Sequence, residues 1–113
     1  MDSIYLLITT VSSQDEAKKL AQKTVENGLA ACAQVQAACH SVYMWEGKLE
    51  SAVEYPIYFK TNESKKSGLF KFIKEHHTYD VPEIISLKLD DVDPMYATWL
   101  NAQLLQNKWL KKY

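Results

Sequence analysis

The stretch SVYMWEGKLESAVEYPIYFKT, residues 41–61, decides the fold of this chain. Glu46 and Gly47 lie near its middle and predict a tight hairpin turn, although Asn-Gly or Asp-Gly is the usual pair at such turns. The β-branched and aromatic residues on either side predict one strand before the turn and a second strand from Leu49 to Thr61. We therefore predict a β-hairpin.

The side chains before the turn alternate in character. Ser41, Tyr43 and Trp45 are expected on one face of the strand, with Val42 and Met44 on the other. Pro56 lies inside the second strand and is unfavourable there, because proline cannot donate to a β-ladder and belongs at an edge or a bulge.

The length of the hairpin also has a consequence. No helix-breaking residue occurs between Ala30 and Trp45, so each strand is predicted to run for about 14 residues, whereas most strands have about 5 or 6. One small domain cannot cover such a hairpin, and exposed edges invite pairing with other chains. We therefore expect a homo-oligomer in which neighbouring copies cover the hairpin.

The segments around the hairpin complete an α+β fold. Ser13 and Glu16 have the spacing of a helix capping box, Gly28 is a helix stop, and Asp93-Pro94 is a cap followed by proline. The predicted elements outside the hairpin are a strand at 4–11, helices at 13–28 and 62–76, a strand at 83–89 and a helix at 93–105. This order is the ferredoxin-like split βαβ arrangement with a long central hairpin and an extra C-terminal helix, forming a single domain over residues 1–113. The tail at 108–113 has no predicted place in the fold.

Composition excludes several classes of protein. The net charge is −1, and all 13 basic residues are lysine. A nucleic-acid binder usually carries a basic stripe, and phosphate clamps prefer arginine, so neither function is expected. The N-terminal run MDSIYLLITT is short and has no basic residue, so it predicts neither a signal peptide nor a membrane span.

The spacing of the two cysteines indicates whether they can form a disulfide, and so which cellular compartment suits the protein. Cys32 and Cys39 fall within one predicted strand, which would hold them roughly 23 Å apart. A disulfide requires Cα atoms within about 7 Å, so the two cannot pair. We interpret both as small, buried, apolar side chains, and free thiols predict a cytoplasmic protein.

Five short segments together resemble the CutA divalent-cation tolerance family, in the right order and spacing along nearly the whole chain. They are LAAC at 29–32, SVYMWEGKLE at 41–50, FKT at 59–61, HHTYDVPEI at 76–84 and YATWLNAQL at 96–104. The resemblance implies a cytoplasmic homotrimer assembled through the long hairpin, with copper or another divalent cation bound and no obligatory cofactor. It also implies a likeness to the PII signalling proteins, which are regulators and not enzymes.

Two positions depart from the pattern of that family. The usual His-Pro-Tyr run is His77-Thr78-Tyr79 here, so the turn loses the rigidity of a proline. Some bacterial members carry a metal-binding cysteine late in the first strand, where this chain has Ile8. A metal site that uses this thiol is therefore excluded.

His76 and His77 are the candidate metal ligands, since imidazole suits copper and zinc. Adjacent helical residues point about 100° apart, so the two would not face one ion together. The alternative for His76 is that it fills the apolar face of its helix; His77, at the end of the helix, is the better ligand. If it binds copper, we expect micromolar or weaker affinity that falls below about pH 6, where an ordinary imidazole takes up a proton.

A set of chemically varied residues is expected to line one cleft. The candidates are Trp45, Lys60, His77, Tyr79, Asp80 and Glu83. The alternative is an interface network in which Lys60 pairs with Glu83. Trp99 is interpreted as a core residue.

Three functions follow from these features. The first is a trimeric divalent-cation tolerance protein that binds copper, and the second is a PII-like trimer that binds a small metabolite or a partner protein between subunits. The third is an enzyme using His77, Glu83 and Lys60. Because the chain has no nucleophile motif, Gly-rich phosphate loop or paired-cysteine zinc signature, we expect that it is not an enzyme.

Overall fold

The computed structural model describes residues 2–105 and confirms the predicted order of elements. The predicted tail at 108–113 lies outside the described residues. The elements are β1 (Ile4–Val11), α1 (Gln14–Glu26), β2 (Cys32–Val35), β3 (Cys39–Trp45), β4 (Lys48–Asn62), α2 (Glu63–His76), β5 (Ile84–Lys88) and α3 (Pro94–Leu105). The first hairpin strand is therefore two strands, β2 and β3, where the sequence predicted one.

All strand pairs of the sheet are antiparallel. The strand order is β2-β4-β1-β5, and β3 pairs with the part of β4 that extends beyond β1. The pairing with β1 covers β4 only from Tyr55 onward, so β3 and residues 48–54 of β4 form a two-stranded ribbon that leaves the sheet.

Pro56 explains why the long strand is interrupted. Val35 pairs with Ile57 and Cys39 pairs with Glu54, so three residues of one strand, 36–38, lie opposite two residues of β4. The Pro56 carbonyl accepts from the Gln36 N–H at 2.9 Å, but proline has no N–H to donate in return. The result is a β-bulge at the position where the sequence predicted either a bulge or an edge.

The predicted hairpin turn is confirmed. Trp45 pairs with Lys48 across a two-residue loop, and both Glu46 and Gly47 have positive φ, 50° and 79°. Two positive φ values define the type I′ turn, whose twist matches that of the flanking strands.

The core lies between one face of the sheet and the helices α1 and α2. Leu7, Ile57, Phe59, Leu69 and Ile73 are all fully buried there. The helices follow the predicted caps, since the Ser13 side chain accepts from the Glu16 N–H and Asp93 accepts from two N–H groups of the first turn of α3.

The opposite face of the sheet is only partly covered. α3 packs Ala97, Leu100 and Leu104 against Ile4 at one end of β1. Farther along this face, Ile85 and Leu87 of β5 are 46% and 49% exposed. These two residues lie opposite Ile8 and Leu6 of β1, so an apolar part of the sheet has no cover among residues 2–105.

Two predictions of burial were wrong. Trp99 is 44% exposed, because α3 turns Ala97 and Leu100 toward the sheet instead. Cys32 and Cys39 are free and half-buried, not fully buried. Cys32 pairs opposite Lys60 and Cys39 opposite Glu54, six residues apart along β4, which keeps the thiols roughly 20 Å apart.

Among residues 2–105, no helix is long and apolar enough to cross a membrane.

Candidate functional site

The ribbon and the loop between α2 and β5 border a cavity of about 840 Å³ that is open to solvent, which we call the ribbon cavity. The ribbon has two faces, because residues that pair directly across two strands point the same way. One face carries Tyr43 opposite Glu50, and Trp45 opposite Lys48. This face supplies most of the ribbon residues that line the cavity, and we call it the cavity face.

The lining of the ribbon cavity combines acidic and aromatic side chains. Its carboxylates are Glu50, Glu54, Asp80 and Glu83. Its aromatic residues are Tyr43, Trp45 and Tyr79. No lysine or histidine is among the lining residues, and the remaining ones are small or aliphatic.

Glu54 and Tyr79 form the buried end of the cavity. The Tyr79 hydroxyl donates to Glu54 Oε2 at 2.8 Å, and Glu54 is only 8% exposed. Burial, together with this hydrogen bond to a carboxylate, raises the pKa of Tyr79. The phenol therefore stays protonated and holds the carboxylate in one orientation.

His77 positions Tyr79 and does not line the cavity. Its Nδ1 accepts from the Tyr79 N–H at 3.1 Å, and its Nε2 donates to the Thr10 carbonyl at 2.8 Å. An N–H group can only donate and a carbonyl can only accept, so these contacts require the neutral imidazole with the proton on Nε2. Both nitrogens are thus occupied, and a metal ion would have to displace one of these hydrogen bonds.

Two further hydrogen bonds secure the loop. Thr78 donates from Oγ1 to the Glu16 carboxylate at 3.0 Å, which ties the loop to α1. The Thr9 hydroxyl donates to the Glu83 carbonyl at 2.6 Å, which ties its far end to β1. Glu16 was predicted to close a capping box, but its carboxylate accepts from Ser12 and Thr78 instead.

His76 lies apart from His77. Its ring stacks on Phe72 with centroids 4.0 Å apart, and its Nδ1 donates to the Phe72 carbonyl at 2.9 Å. The residue is exposed, so it does not fill the apolar face of α2 as the alternative prediction held. Its Nε2 has no partner among the described residues and keeps a free lone pair.

Lys60 does not join the cleft candidates. Its amine lies 5.6 Å from the centroid of the Tyr96 ring, on the side covered by α3. Along β4, Lys60 is four residues from Pro56, and Pro56 lies opposite the cavity residue Thr10. Lys60 is therefore separated from the cavity along the strand. Lys60 and Glu83 therefore do not pair within the described protomer, and a pair between subunits stays a prediction.

The described part of the protomer does not fit a metal ion by itself. No three side chains of His, Cys, Asp or Glu within residues 2–105 come together in a group that could hold one. The cavity carboxylates line a space instead of converging on one point.

The structure thus brings together four of the six predicted cleft residues: Trp45, Tyr79, Asp80 and Glu83. His77 does not line the cavity but accepts a hydrogen bond from the Tyr79 N–H. Lys60 lies against Tyr96 instead. Sequence reasoning missed Tyr43, Glu50 and Glu54. The alternation that put Tyr43 beside Trp45 was a usable signal for Tyr43, but nothing in the sequence pairs Glu54 with Tyr79.

Comparison with known families gives one match that covers most of the chain. Residues 5–103 match the family described as CutA1 divalent ion tolerance protein. Among curated proteins, the chain is similar to the divalent-cation tolerance protein CutA of Yersinia pestis (strain Pestoides F). The two are 38% identical over 100 residues, which cover 88% of this chain and 84% of that protein.

Solved structures give the same result. The chain resembles the divalent ion tolerance protein CutA1 from Ehrlichia chaffeensis with a TM-score of 0.90 and 29% identity, covering 94% of this chain and 99% of that one. It resembles CutA from Synechococcus elongatus PCC7942 with a TM-score of 0.87 and 35% identity, covering 92% of each chain.

Proposed function

Because this chain belongs to the CutA1 divalent ion tolerance protein family, we propose that it is a divalent-cation tolerance protein that acts as a homotrimer. In this proposal it binds copper or another divalent cation and catalyses no reaction. The cytoplasm is its proposed location, on the ground that its two thiols are free and too distant to pair.

The exposed apolar face of the ribbon supports the proposal of an oligomer. The ribbon face opposite the cavity face bears Val42, Met44, Leu49 and Val53, of which Val42 also reaches the cavity lining, and we call it the apolar ribbon face. Leu49 is 72% exposed and Val42 is 65% exposed. A two-stranded ribbon is marginally stable by itself, and an exposed apolar face of this kind usually marks a contact with another protein surface. Packing against neighbouring copies would cover it.

Copper binding is proposed to be weak within one protomer. No ready-made cage exists in the described residues, so an ion would rely on single imidazoles or on groups from several subunits. His76 offers a free Nε2, whereas both nitrogens of His77 are hydrogen-bonded. A tolerance role would then act through a signal or a partner, because weak sites cannot buffer a toxic metal.

Copper titration tests this proposal. The parent and the His76→Ala and His77→Ala variants should be titrated with Cu²⁺ by calorimetry at about pH 7.5 and pH 5.5, because protons compete with a metal ion for an imidazole nitrogen. We expect micromolar or weaker binding, tighter than for other divalent metals, lost at the lower pH and reduced most in His76→Ala. Sub-nanomolar binding, or binding that neither substitution changes, would contradict the proposal.

A second candidate function is a PII-like regulatory trimer that binds a small metabolite or a partner. The ribbon cavity favours it, because a space of about 840 Å³ lined by aromatic and polar groups falls in the usual size range of ligand sites. The test is a ligand-detected NMR screen of small metabolites, repeated on the Trp45→Ala variant. Hits that disappear in the variant support a ligand in this cavity, and an absence of hits contradicts it.

A further inference from the structure

The ribbon cavity carries charge of one sign, which restricts the class of ligand that it accepts. Its ionisable lining groups are carboxylates and tyrosines, and no lysine or histidine is among the lining residues. Lys60, the amine that the sequence placed here, lies instead against Tyr96. Lys48 pairs with Trp45 at the tip of the cavity face but is not among the lining residues. A ligand with a carboxylate or phosphate group would therefore meet like charge along the lining.

Glu54 is built into the cavity as an oriented, buried anion. Its Oε2 accepts from Tyr79, while no described residue donates a hydrogen bond to Oε1. Glu54 as a whole residue is 8% exposed, and neither of its carboxylate oxygens is both fully buried and without a hydrogen-bond partner. Oε1 therefore keeps access to the cavity. A buried carboxylate is stabilised by an opposite charge, so Oε1 is a position for a cation.

The aromatic residues distinguish an organic cation from a metal ion. Tyr43, Trp45 and Tyr79 line the cavity, and aromatic rings attract ammonium and guanidinium groups on carbon skeletons. A hard divalent ion needs several oxygen ligands at about 2.0–2.6 Å. The carboxylates within the described residues form no such group.

We propose that the ribbon cavity binds a small organic cation, a protonated amine on an apolar or aromatic body. The ammonium group lies at Glu54 Oε1, and the body packs against Tyr43 and Trp45. This proposal deepens the second candidate function, on which it rests.

Three probes of similar size but different charge test it on the full-length protein. Phenethylamine is cationic at neutral pH, 2-phenylethanol is its neutral counterpart, and phenylacetate is anionic. Calorimetry and ligand-detected NMR should show phenethylamine binding at least about tenfold more tightly than the alcohol. Phenylacetate should not bind.

Variants locate the site. Glu54→Gln keeps the volume of the side chain and an oxygen that can accept from Tyr79, so the protein should fold while the affinity for phenethylamine falls about tenfold. Asp80→Asn changes an exposed residue of the same lining and should weaken binding less. Glu75→Gln removes one charge from an exposed position on α2, outside the lining, and should leave binding unchanged.

Each remaining outcome has a distinct meaning. Equal loss of affinity in Glu75→Gln and Glu54→Gln would show nonspecific attraction to an acidic protein and would overturn the proposal. Tighter binding of the alcohol or of phenylacetate, abolished by Trp45→Ala, would preserve the cavity as a ligand site and refute the cationic class. Displacement of phenethylamine by MgCl₂, but not by NaCl of equal ionic strength, would assign the site to a metal ion. Absence of binding by all three probes would reject the inference alone, because the metabolite screen with the Trp45→Ala variant decides the second candidate function separately.

Discussion

Thr78 occupies the position where the resembling family usually has proline, and its side chain supplies a different restraint. A proline would limit the loop through its backbone, whereas Thr78 donates to Glu16 on α1. Residue 77 has φ −78° and ψ 143°, an extended conformation that would also suit a residue before proline. The loop is thus held by a side-chain hydrogen bond where the family pattern uses backbone rigidity.

Removing that hydroxyl should loosen the loop. Thr78→Val keeps the shape of the side chain and loses one exposed hydrogen bond to a charged group, so the free energy of unfolding should fall by about 0.5–1.5 kcal/mol. Amide exchange of residues 78–81 should accelerate, while that of α3 stays unchanged. Faster exchange throughout the chain would show that the hydrogen bond does not act locally.

Tyr79 should give the protein a specific sensitivity to alkali. Its pKa is raised in the folded protein, so its contribution to stability is complete below the unfolded pKa of about 10 and is lost as pH rises above that value. Tyr79→Phe has no phenol to ionise. We therefore expect the variant to be less stable than the parent at pH 8 by about 1 kcal/mol, with a smaller further loss between about pH 10 and 12. Parallel curves of stability against pH for the two proteins would refute the raised pKa.

At the scale of elements, the sequence predicted what local pattern can encode. The hairpin turn, the caps at Ser13 and Asp93 and the strand at 4–11 follow from residue type and spacing, and the structure has all of them. The division of the long strand could not be located, because it depends on which residue of β2 or β3 meets Pro56 across the sheet. The partners of Lys60 and Glu54 were unpredictable for the same reason: both depend on register between segments distant in sequence.

The turn of the ribbon offers a test at this scale. Glu46 has a φ of 50°, a conformation that costs most residues energy and that asparagine tolerates better. Glu46→Asn should therefore raise the free energy of unfolding by about 0.5–1 kcal/mol. Gly47→Ala, at φ 79°, is the matched substitution and should lower it by at least a similar amount. Thermal denaturation of the two variants should show shifts of opposite sign, and shifts of the same sign would exclude the type I′ turn.

At the scale of the whole molecule, the two ribbon faces have separable roles. The apolar ribbon face is proposed to meet other subunits, and the cavity face meets the loop of its own protomer. The match to the family covers residues on both faces, so it does not say which residue lies on which face. The pairing of β3 with β4 assigns each residue to one face.

Charge placed on one face should therefore affect assembly alone. Leu49→Glu adds a carboxylate to the apolar ribbon face and should convert the proposed trimer to smaller species at micromolar concentration, as measured by light scattering. Glu50→Gln, the neighbouring residue on the cavity face, should leave the mass unchanged. A monomeric parent protein, or a Leu49→Glu variant with the parent mass, would contradict assembly through this face.

The bulge opposite Pro56 also determines where the length of this chain can change. β2 pairs with β4 in one register, which the sheet fixes, and β3 pairs with β4 in another, which the two-residue turn fixes. The two registers differ by one residue, and the extra residue lies within 36–38. Deletion of Ala37 or Ala38 would remove the surplus residue and leave every pair in both registers as it is. Deletion of Ala52 would instead turn the side chains between it and the turn to the opposite face. Related chains that differ in length within the ribbon should therefore carry their insertions and deletions at 36–38, where the change leaves both the proposed subunit contact and the cavity in place.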